Sequence, residues 1–191
     1  MSAQNSLAEM LAARSARRGH FTLASGRQST LYIDARLTTM SPAGLALIGP
    51  IAHQVLVESL WKIDSVGGLT LGADPISYAI AFASAGTSSP LRAFSVRKEI
   101  KLHGTGKLIE GPFQPGDRVA VIEDVITTGG SALRAIEAIR TGGGVIEGVL
   151  ALVDREEGGR EAITSQGIPV ISLVTATQIL SYLTDELLPP G

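Results

Sequence analysis

Two adjacent carboxylates, Glu123 and Asp124, stand directly before a run of small and hydroxyl-bearing residues, 127–131. Carboxylates accept hydrogen bonds from hydroxyl groups, whereas Thr and Ser hydroxyls and backbone N–H groups donate to phosphate. An apolar run, residues 119–122, precedes them and helix-forming residues follow, so the second half lies at a helix start, where N–H groups bind anions. A ligand with a vicinal diol beside a phosphate, as in a ribose 5-phosphate, satisfies both halves. The alternative is an ordinary strand-to-helix turn with an acidic start.

Other phosphate-binding fingerprints do not fit the chain. The pattern G-x-x-x-x-G-K-[ST] of a P-loop does not occur in the sequence. The pattern G-x-G-x-x-G of dinucleotide-binding proteins is incomplete at residues 104–106 and at residues 142–144, because the third glycine is missing at both places. The anion site predicted at residues 127–131 therefore belongs to neither of these two classes.

A second polar stretch, SVRKEIKLHGTGKLIEG at residues 95–111, is rich in cations. It contains Arg97, Lys98, Lys101, His103 and Lys107. These side chains can neutralise a pyrophosphate, and the glycines at positions 104 and 106 allow the loop to close over a ligand. The alternative is a mobile charged loop exposed to solvent.

A third stretch, ALVDREEGG at residues 151–159, contains Arg155. A planar guanidinium with two parallel N–H donors suits a planar carboxylate. Arg155 is therefore a candidate for binding an acidic substrate. The alternative is a surface arginine paired with Glu156 or Glu157.

Apolar strand segments alternate with helical segments along most of the chain, which predicts an α/β fold with a mostly parallel central sheet flanked by helices. The helix starts are predicted from capping patterns at Ser6, Ser41, Asp74 and Thr175, the last with Gln178 at its third position. Ligands bind such sheets at the carboxyl ends of the strands. This rule brings together four loops, residues 71–75, 97–111, 123–131 and 154–159.

Composition limits the remaining classes. The chain has 191 residues, a net charge of −2, three histidines and no cysteine. Thiolate chemistry and disulfides are excluded, a catalytic metal held by the protein is not expected, and no nucleic-acid partner is indicated. Residues 37–57 are uncharged but contain two prolines and several polar residues, so we expect a buried helix and no membrane partner. The lack of cysteine fits a reducing compartment, so we expect a cytoplasmic protein.

The segment VIEDVITTGGS, residues 121–131, resembles the phosphoribosyl-pyrophosphate (PRPP) motif of the type I phosphoribosyltransferases. Within that family, the spacing R-K-x-x-K-x-H-G from residue 97 is similar to the catalytic loop of the orotate phosphoribosyltransferases. The segments FTLASGR (21–27) and ALVDREEGG are similar to their base-binding segments, although Ala24 stands where some members carry Lys. The resemblance covers residues 21–183.

The resemblance implies a role for each matching residue. PRPP is expected to bind Arg97, Lys98, Lys101, His103, Glu123, Asp124, Val125, Ile126, Thr127, Thr128, Gly129, Gly130 and Ser131. Orotate is expected to bind Thr127 and Arg155, and the catalytic residues are expected to be Lys101, His103 and Asp124.

The resemblance also implies the type I phosphoribosyltransferase fold as a single domain over residues 1–191, with residues 1–40 and the C-terminal segment forming a hood over the base site. The expected reaction converts orotate and PRPP into orotidine 5′-monophosphate and pyrophosphate, in pyrimidine biosynthesis. Mg²⁺ is expected to arrive on PRPP, and the family implies a homodimer whose loop closes over the neighbour's site. Two alternatives are a phosphoribosyltransferase for a purine base and a PRPP-sensing regulator without catalytic activity.

Overall fold

A computed structural model describes residues 3–22, 28–99 and 107–183. The helices in these ranges are α1 (Ala3–Ser15), α2 (Arg36–Thr39), α3 (Pro42–Glu58), α4 (Ala73–Ser84), α5 (Gly130–Thr141), α6 (Gly159–Thr164) and α7 (Ala176–Leu180). The strands are β1 (Ala16–Thr22), β2 (Gln28–Ile33), β3 (Ser65–Leu69), β4 (Arg92–Val96), β5 (Ile109–Glu110), β6 (Arg118–Ile126), β7 (Val145–Asp154) and β8 (Val170–Thr175).

Six of the described strands form the central sheet, in the order β5-β4-β3-β6-β7-β8. All neighbouring pairs are parallel except β4 and β5, which form a short antiparallel edge. Strands β1 and β2 form a separate antiparallel hairpin. The predicted α/β fold with a mostly parallel sheet is thus confirmed.

Alternating side chains of the sheet feed two hydrophobic clusters, one on each face. In β6, Ala120 and Ile122 belong to the cluster that contains residues of α1, α3 and α4, whereas Val119 and Val121 belong to the cluster of α5. The four side chains are fully buried. This two-sided burial explains why the strand reads as a continuous apolar run rather than as an alternating one.

Two of the four predicted helix starts are confirmed. The Ser41 hydroxyl accepts a hydrogen bond from Gly44 N at the start of α3, and Thr175 forms a full capping box with Gln178 at the start of α7. The other two predictions are wrong. Helix α1 already begins at Ala3, so Ser6 lies inside it, and the residue preceding α4 is Gly72, so Asp74 lies in the first turn.

The antiparallel edge holds both ends of the cationic stretch. Ser95 pairs with Glu110 and Val96 with Ile109, and Arg97 N donates to the carbonyl of Leu108 over 2.8 Å. The chain therefore leaves the sheet after β4 and returns to the same place. In the described ranges, every helix is too short or too polar to cross a membrane.

Candidate active site at the ends of strands β3 and β6

A cavity of about 220 Å³ lies beyond the carboxyl ends of β3 and β6. It is lined by Arg36, Leu69, Thr70, Leu71, Gly72, Lys98, Glu123, Asp124 and Ser131. Three of the four loops expected to meet at this edge of the sheet, the ones following β3, β4 and β6, contribute to this one cavity.

Strand β6 is longer than its apolar run, because it continues through both acids to Ile126. Glu123, Val125 and Ile126 stay in register with β7. The side chain of Ile126 is buried in the α5 cluster, and that of Val125 packs against the opposite cluster. The sheet therefore holds the acids on the strand itself, whereas the apolar run predicted that the strand ends at residue 122.

Glu123 is a buried carboxylate on that strand, with 8% of its surface exposed. Its Oε2 atom is buried and has no hydrogen-bond partner among the described residues. Burial raises the pKa of Glu123 well above its ordinary value of 4.5, repulsion by Asp124 and a hydrogen bond with it add to the rise, and Arg134 opposes it. A buried acceptor of this kind is ready to take a ligand hydroxyl.

Asp124 is half-buried and its Oδ1 accepts a hydrogen bond from Val125 N over 2.9 Å. The loop after β3 lies against the same carboxylate, because a Cβ at Gly72 would stand 2.5 Å from Asp124 Cγ. The Thr70–Leu71 peptide in this loop is cis, and the Thr70 hydroxyl donates to Asp74 Oδ2 over 2.6 Å. The loop after β3 and the backbone of β6 thus frame one carboxylate.

The phosphate half of the predicted site forms the start of α5. Gly129 precedes the helix with φ of 80° and has no side chain to occupy the first-turn N–H groups. A Cβ at Gly129 would come within 2.8 Å of the Gly159 carbonyl, and one at Gly159 would overlap the Thr127 carbonyl. Glycines at both positions let the two loops touch. The N–H groups of the first turn of α5 are available for an anion.

The cationic stretch is described only at its two ends. Lys98 is exposed and lines the cavity, and Arg97 pairs with Glu110 over 3.1 Å. Arg97 and Lys98 together line an adjacent cavity of about 610 Å³. Lys107 lines a separate cavity beside α5. Lys101 and His103 lie outside the described residues.

Arg155 is buried, with 7% of its surface exposed. Its Nη2 donates over 3.0 Å both to Ser29 Oγ and to the Leu31 carbonyl on β2, and it forms an ion pair with Glu157. Its backbone N–H donates to the Ile126 carbonyl over 2.9 Å. The pairing with Glu157 agrees with the alternative interpretation of this residue, but the interpretation as a surface arginine is wrong.

Two cations near the acids were missed at the sequence level. Arg36 lines the cavity and pairs with Asp34 over 2.8 Å, which lowers the pKa of that carboxyl. Arg134 lies in α5 and acts electrostatically on Glu123. Arg134 follows Ser131 by three residues, a helical spacing that points to the same face, whereas nothing in the spacing of Arg36 ties it to residues 123–131.

Similar sequences and similar solved structures indicate the same family. No family model matches the chain. The orotate phosphoribosyltransferase of Aquifex aeolicus is 51% identical over 160 residues, which are 84% of this chain and 86% of that protein. The crystal structure of Mycobacterium tuberculosis orotate phosphoribosyltransferase with Fe(III) dicitrate is 40% identical, with a TM-score of 0.81 over 93% of this chain and 99% of that one. The same enzyme in complex with PRPP gives a TM-score of 0.78 at 39% identity, over 93% of this chain and 99% of that one.

Proposed function

The chain belongs to the orotate phosphoribosyltransferases, and from this premise we propose that its cavity between β3 and β6 binds PRPP while Arg155 binds orotate. As an enzyme of this family, the chain transfers the 5-phosphoribosyl group of PRPP to orotate. The products are orotidine 5′-monophosphate and pyrophosphate. The alternatives of a purine-base enzyme and of a sensor without catalytic activity are set aside.

The observation that carries the proposal for PRPP is the arrangement around one cavity. Glu123 and Asp124 line it from β6, and Ser131 lines it from the first turn of α5. The acids accept hydrogen bonds from the 2- and 3-hydroxyls of the ribose, and residues 127–131 donate to its 5-phosphate. The unpartnered Oε2 of Glu123 supports this assignment, because a ligand hydroxyl would satisfy it.

In the reaction, the bond between ribose C1 and the pyrophosphate oxygen breaks, N1 of orotate gives up its proton, and a bond between C1 and N1 forms. The ribose acquires oxocarbenium character while negative charge grows on the pyrophosphate. Asp124, beside the ribose, offsets the positive charge, and Arg97, Lys98, Lys101 and His103 stabilise the leaving group. Closure of the cationic loop excludes water, which would otherwise hydrolyse PRPP.

The base subsite is proposed to lie between the loop after β7 and the β1–β2 hairpin. Arg155 takes the orotate carboxylate, and Thr127 contacts the ring. The contact of Arg155 with Ser29 and Leu31 supports a hood made of residues 1–40. Contacts between α1 and α7 support a contribution from the C-terminal segment, whose residues 184–191 lie outside the described part.

Mg²⁺ is proposed to enter with PRPP. Oxygen donors suit this ion, and it prefers phosphates and water to a cage of protein ligands. Glu123 and Asp124 provide two neighbouring carboxylates at the cavity, and no group of three or more metal-binding side chains occurs among the described residues. When bound, Mg²⁺ would neutralise charge on the pyrophosphate.

A homodimer with a shared active site is proposed as the functional form. Helix α4 exposes Phe82 to 86% and Tyr78 to 52% of their surfaces. The Tyr78 hydroxyl hydrogen-bonds to Ser95 in β4, directly before the cationic loop. This exposed apolar face lies next to the residues from which the cationic stretch begins. It therefore supports a dimer in which this stretch of one subunit closes over the site of the other. We place the enzyme in the cytoplasm, which suits its cysteine-free composition.

The test is an absorbance assay with the purified protein, PRPP, Mg²⁺ and one base at a time. Loss of the orotate signal only when PRPP is present supports the function, and the products identify the transfer. Conversion of adenine, guanine or hypoxanthine in place of orotate would contradict it. Binding of PRPP without conversion of any base would indicate a sensor.

A further inference from the structure

We infer that Glu157 is a specificity-determining residue of the base site, because its carboxylate competes with the substrate carboxylate for one edge of Arg155. The inference rests on the proposed function, in which Arg155 binds orotate. It adds an acidic competitor to a subsite that has so far been assigned Arg155 and Thr127.

Glu157 engages the edge of the guanidinium formed by Nε and Nη2. Its Oε1 atom accepts from Arg155 Nε over 3.1 Å and from Nη2 over 2.6 Å. One carboxylate oxygen thus accepts two charge-assisted hydrogen bonds from this edge. A substrate carboxylate that takes the same edge has to displace Glu157.

Arg155 keeps its position without Glu157. Its Nη2 also donates to Ser29 Oγ and to the Leu31 carbonyl, each over 3.0 Å. Its backbone N–H is held by the carbonyl of Ile126. These contacts come from β2 and β6, so the guanidinium stays at the base subsite when its acidic partner leaves.

Glu157 is the more exposed partner of the pair. Its side chain is 16% exposed, against 5% for that of Arg155, so it lies at the water side of the pair. It is followed by Gly158, which has φ of 92° and no atom within 4 Å of its would-be Cβ. On the other side, Glu156 is held against α7, because its Oε2 accepts from Thr177 N and Oγ1. A substrate carboxylate that approaches Arg155 from the water side therefore meets Glu157 and not Glu156.

The positive charge of Arg155 determines which groups can replace Glu157. A buried guanidinium without a counter-charge is strongly unfavourable, so Glu157 leaves readily only when another carboxylate takes its place. A base without a carboxylate offers no such exchange. The affinity for orotate is then its intrinsic affinity reduced by the fraction of Arg155 that Glu157 occupies.

The test compares Glu157→Gln with the native enzyme at saturating PRPP. Gln keeps a hydrogen-bond acceptor but loses the charge, and a charge-assisted bond is roughly twice as strong as a neutral one, so the orotate KM is expected to fall about fivefold. The KM for PRPP and the inhibition by uracil, which lacks the carboxylate, are expected to stay the same. Glu161→Gln is the matched control, because Glu161 is exposed on α6 and its substitution changes the net charge equally.

Thermal unfolding adds a second readout. Glu157→Gln should lower the Tm of the protein alone, because Arg155 loses its counter-ion, and orotate should raise the Tm of this variant more than that of the native enzyme. If the Gln variant does not fold, Glu157→Asp withdraws the carboxylate by one methylene, and it should also lower the orotate KM.

An unchanged or raised orotate KM in the variant that folds would overturn the inference, as would an equal gain in affinity for uracil. The proposed function fails separately. If the native enzyme does not convert orotate, the function is wrong. If it does, and Arg155→Lys raises the orotate KM while Glu157→Gln leaves it unchanged, only the role of Glu157 is wrong.

Discussion

Asp124 and Gly72 approach each other so closely that a Cβ on the glycine would stand 2.5 Å from both Cγ and Oδ1 of the carboxylate. Gly72 has φ of −61°, a value open to any residue, so the backbone conformation does not require glycine there. The requirement for glycine comes from the neighbouring carboxylate alone. The position of Asp124 and the absence of a side chain at residue 72 are therefore two parts of one feature.

Gly72→Ala is expected to lower kcat/KM for PRPP by about tenfold or more, because displacing a catalytic group by around 1 Å can cost up to a hundredfold. Steady-state kinetics with varied PRPP measure this effect. Gly86→Ala is the control, because a Cβ at Gly86 meets nothing within 4 Å. Equal losses in the two variants would contradict a specific effect on Asp124.

Glu123→Gln is expected to stabilise the fold at neutral pH while weakening PRPP binding. The pKa of Glu123 is raised in the folded protein, so between its ordinary value and the raised value the folded chain holds a proton that the unfolded chain releases. Stability therefore falls as pH rises through this window, and the amide avoids that loss. The Tm of the variant should exceed that of the native protein above the window and match it below about pH 4, under the ordinary pKa.

The control for this prediction is Glu137→Gln, which removes an exposed carboxylate from α5. Its Tm should follow that of the native protein across the pH range. A Tm difference for Glu123→Gln that does not change with pH would indicate that ionisation of Glu123 is not the cause.

Capping patterns predicted a helix start correctly where the side chain of the predicted residue caps the helix. Ser41 and Thr175 are local caps, and both are observed. Asp74 had the same pattern, but its side chain accepts from Thr70 instead of capping the helix, and the helix starts earlier, after Gly72, where the loop packs against Asp124. Tertiary packing overrode the local signal there.

Lys101→Ala is expected to lower turnover far more than it weakens orotate binding, because Lys101 is proposed to act on the leaving pyrophosphate. The kcat and the orotate dissociation constant, measured on the same preparation, separate the two effects. Losses of similar size in both would argue against a role in leaving-group stabilisation.

Hybrid dimers test whether the cationic loop acts on the neighbouring subunit. Variants Lys101→Ala and Asp124→Ala, each inactive alone, should regain part of the activity when mixed, because one hybrid site combines an intact loop with an intact acid. The measurement is the specific activity after subunit exchange, verified by mass spectrometry of the mixed dimers. No recovery after verified exchange would count against a shared site.

Arg155→Ala is expected to raise the orotate KM by about ten- to a hundredfold, which corresponds to the loss of a charge-assisted pair worth roughly 1.5–3 kcal/mol. Because Arg155 also holds β2 through Ser29 and Leu31, the Tm should fall as well. Ser29→Ala serves as the control, since it removes one of these structural contacts and keeps the guanidinium. An unchanged orotate KM in Arg155→Ala would remove this residue from the base site.

The position of residues 123–131 was predictable, because they follow one another in the sequence and lie at a single strand-to-helix junction, between β6 and α5. Arg36 was not predictable in the same way, because it reaches the cavity from the end of the hairpin, far from Glu123 in the chain. The partner of Arg155 was left open between Glu156 and Glu157. In the structure Glu157 is the partner of Arg155. Glu156 bonds to Thr177 instead and has a left-handed backbone conformation, with φ of 58°.

The short antiparallel pair of β4 and β5 brings the two junctions of the cationic stretch side by side. Arg97 and Leu108 are hydrogen-bonded where the chain leaves and re-enters the sheet. A segment from a relative, joined at these two residues, would keep the pairing of β4 with β5 and the parallel strands that hold Glu123 and Asp124. With the roles proposed above, the groups that act on the leaving pyrophosphate could then be exchanged without altering those that bind the sugar.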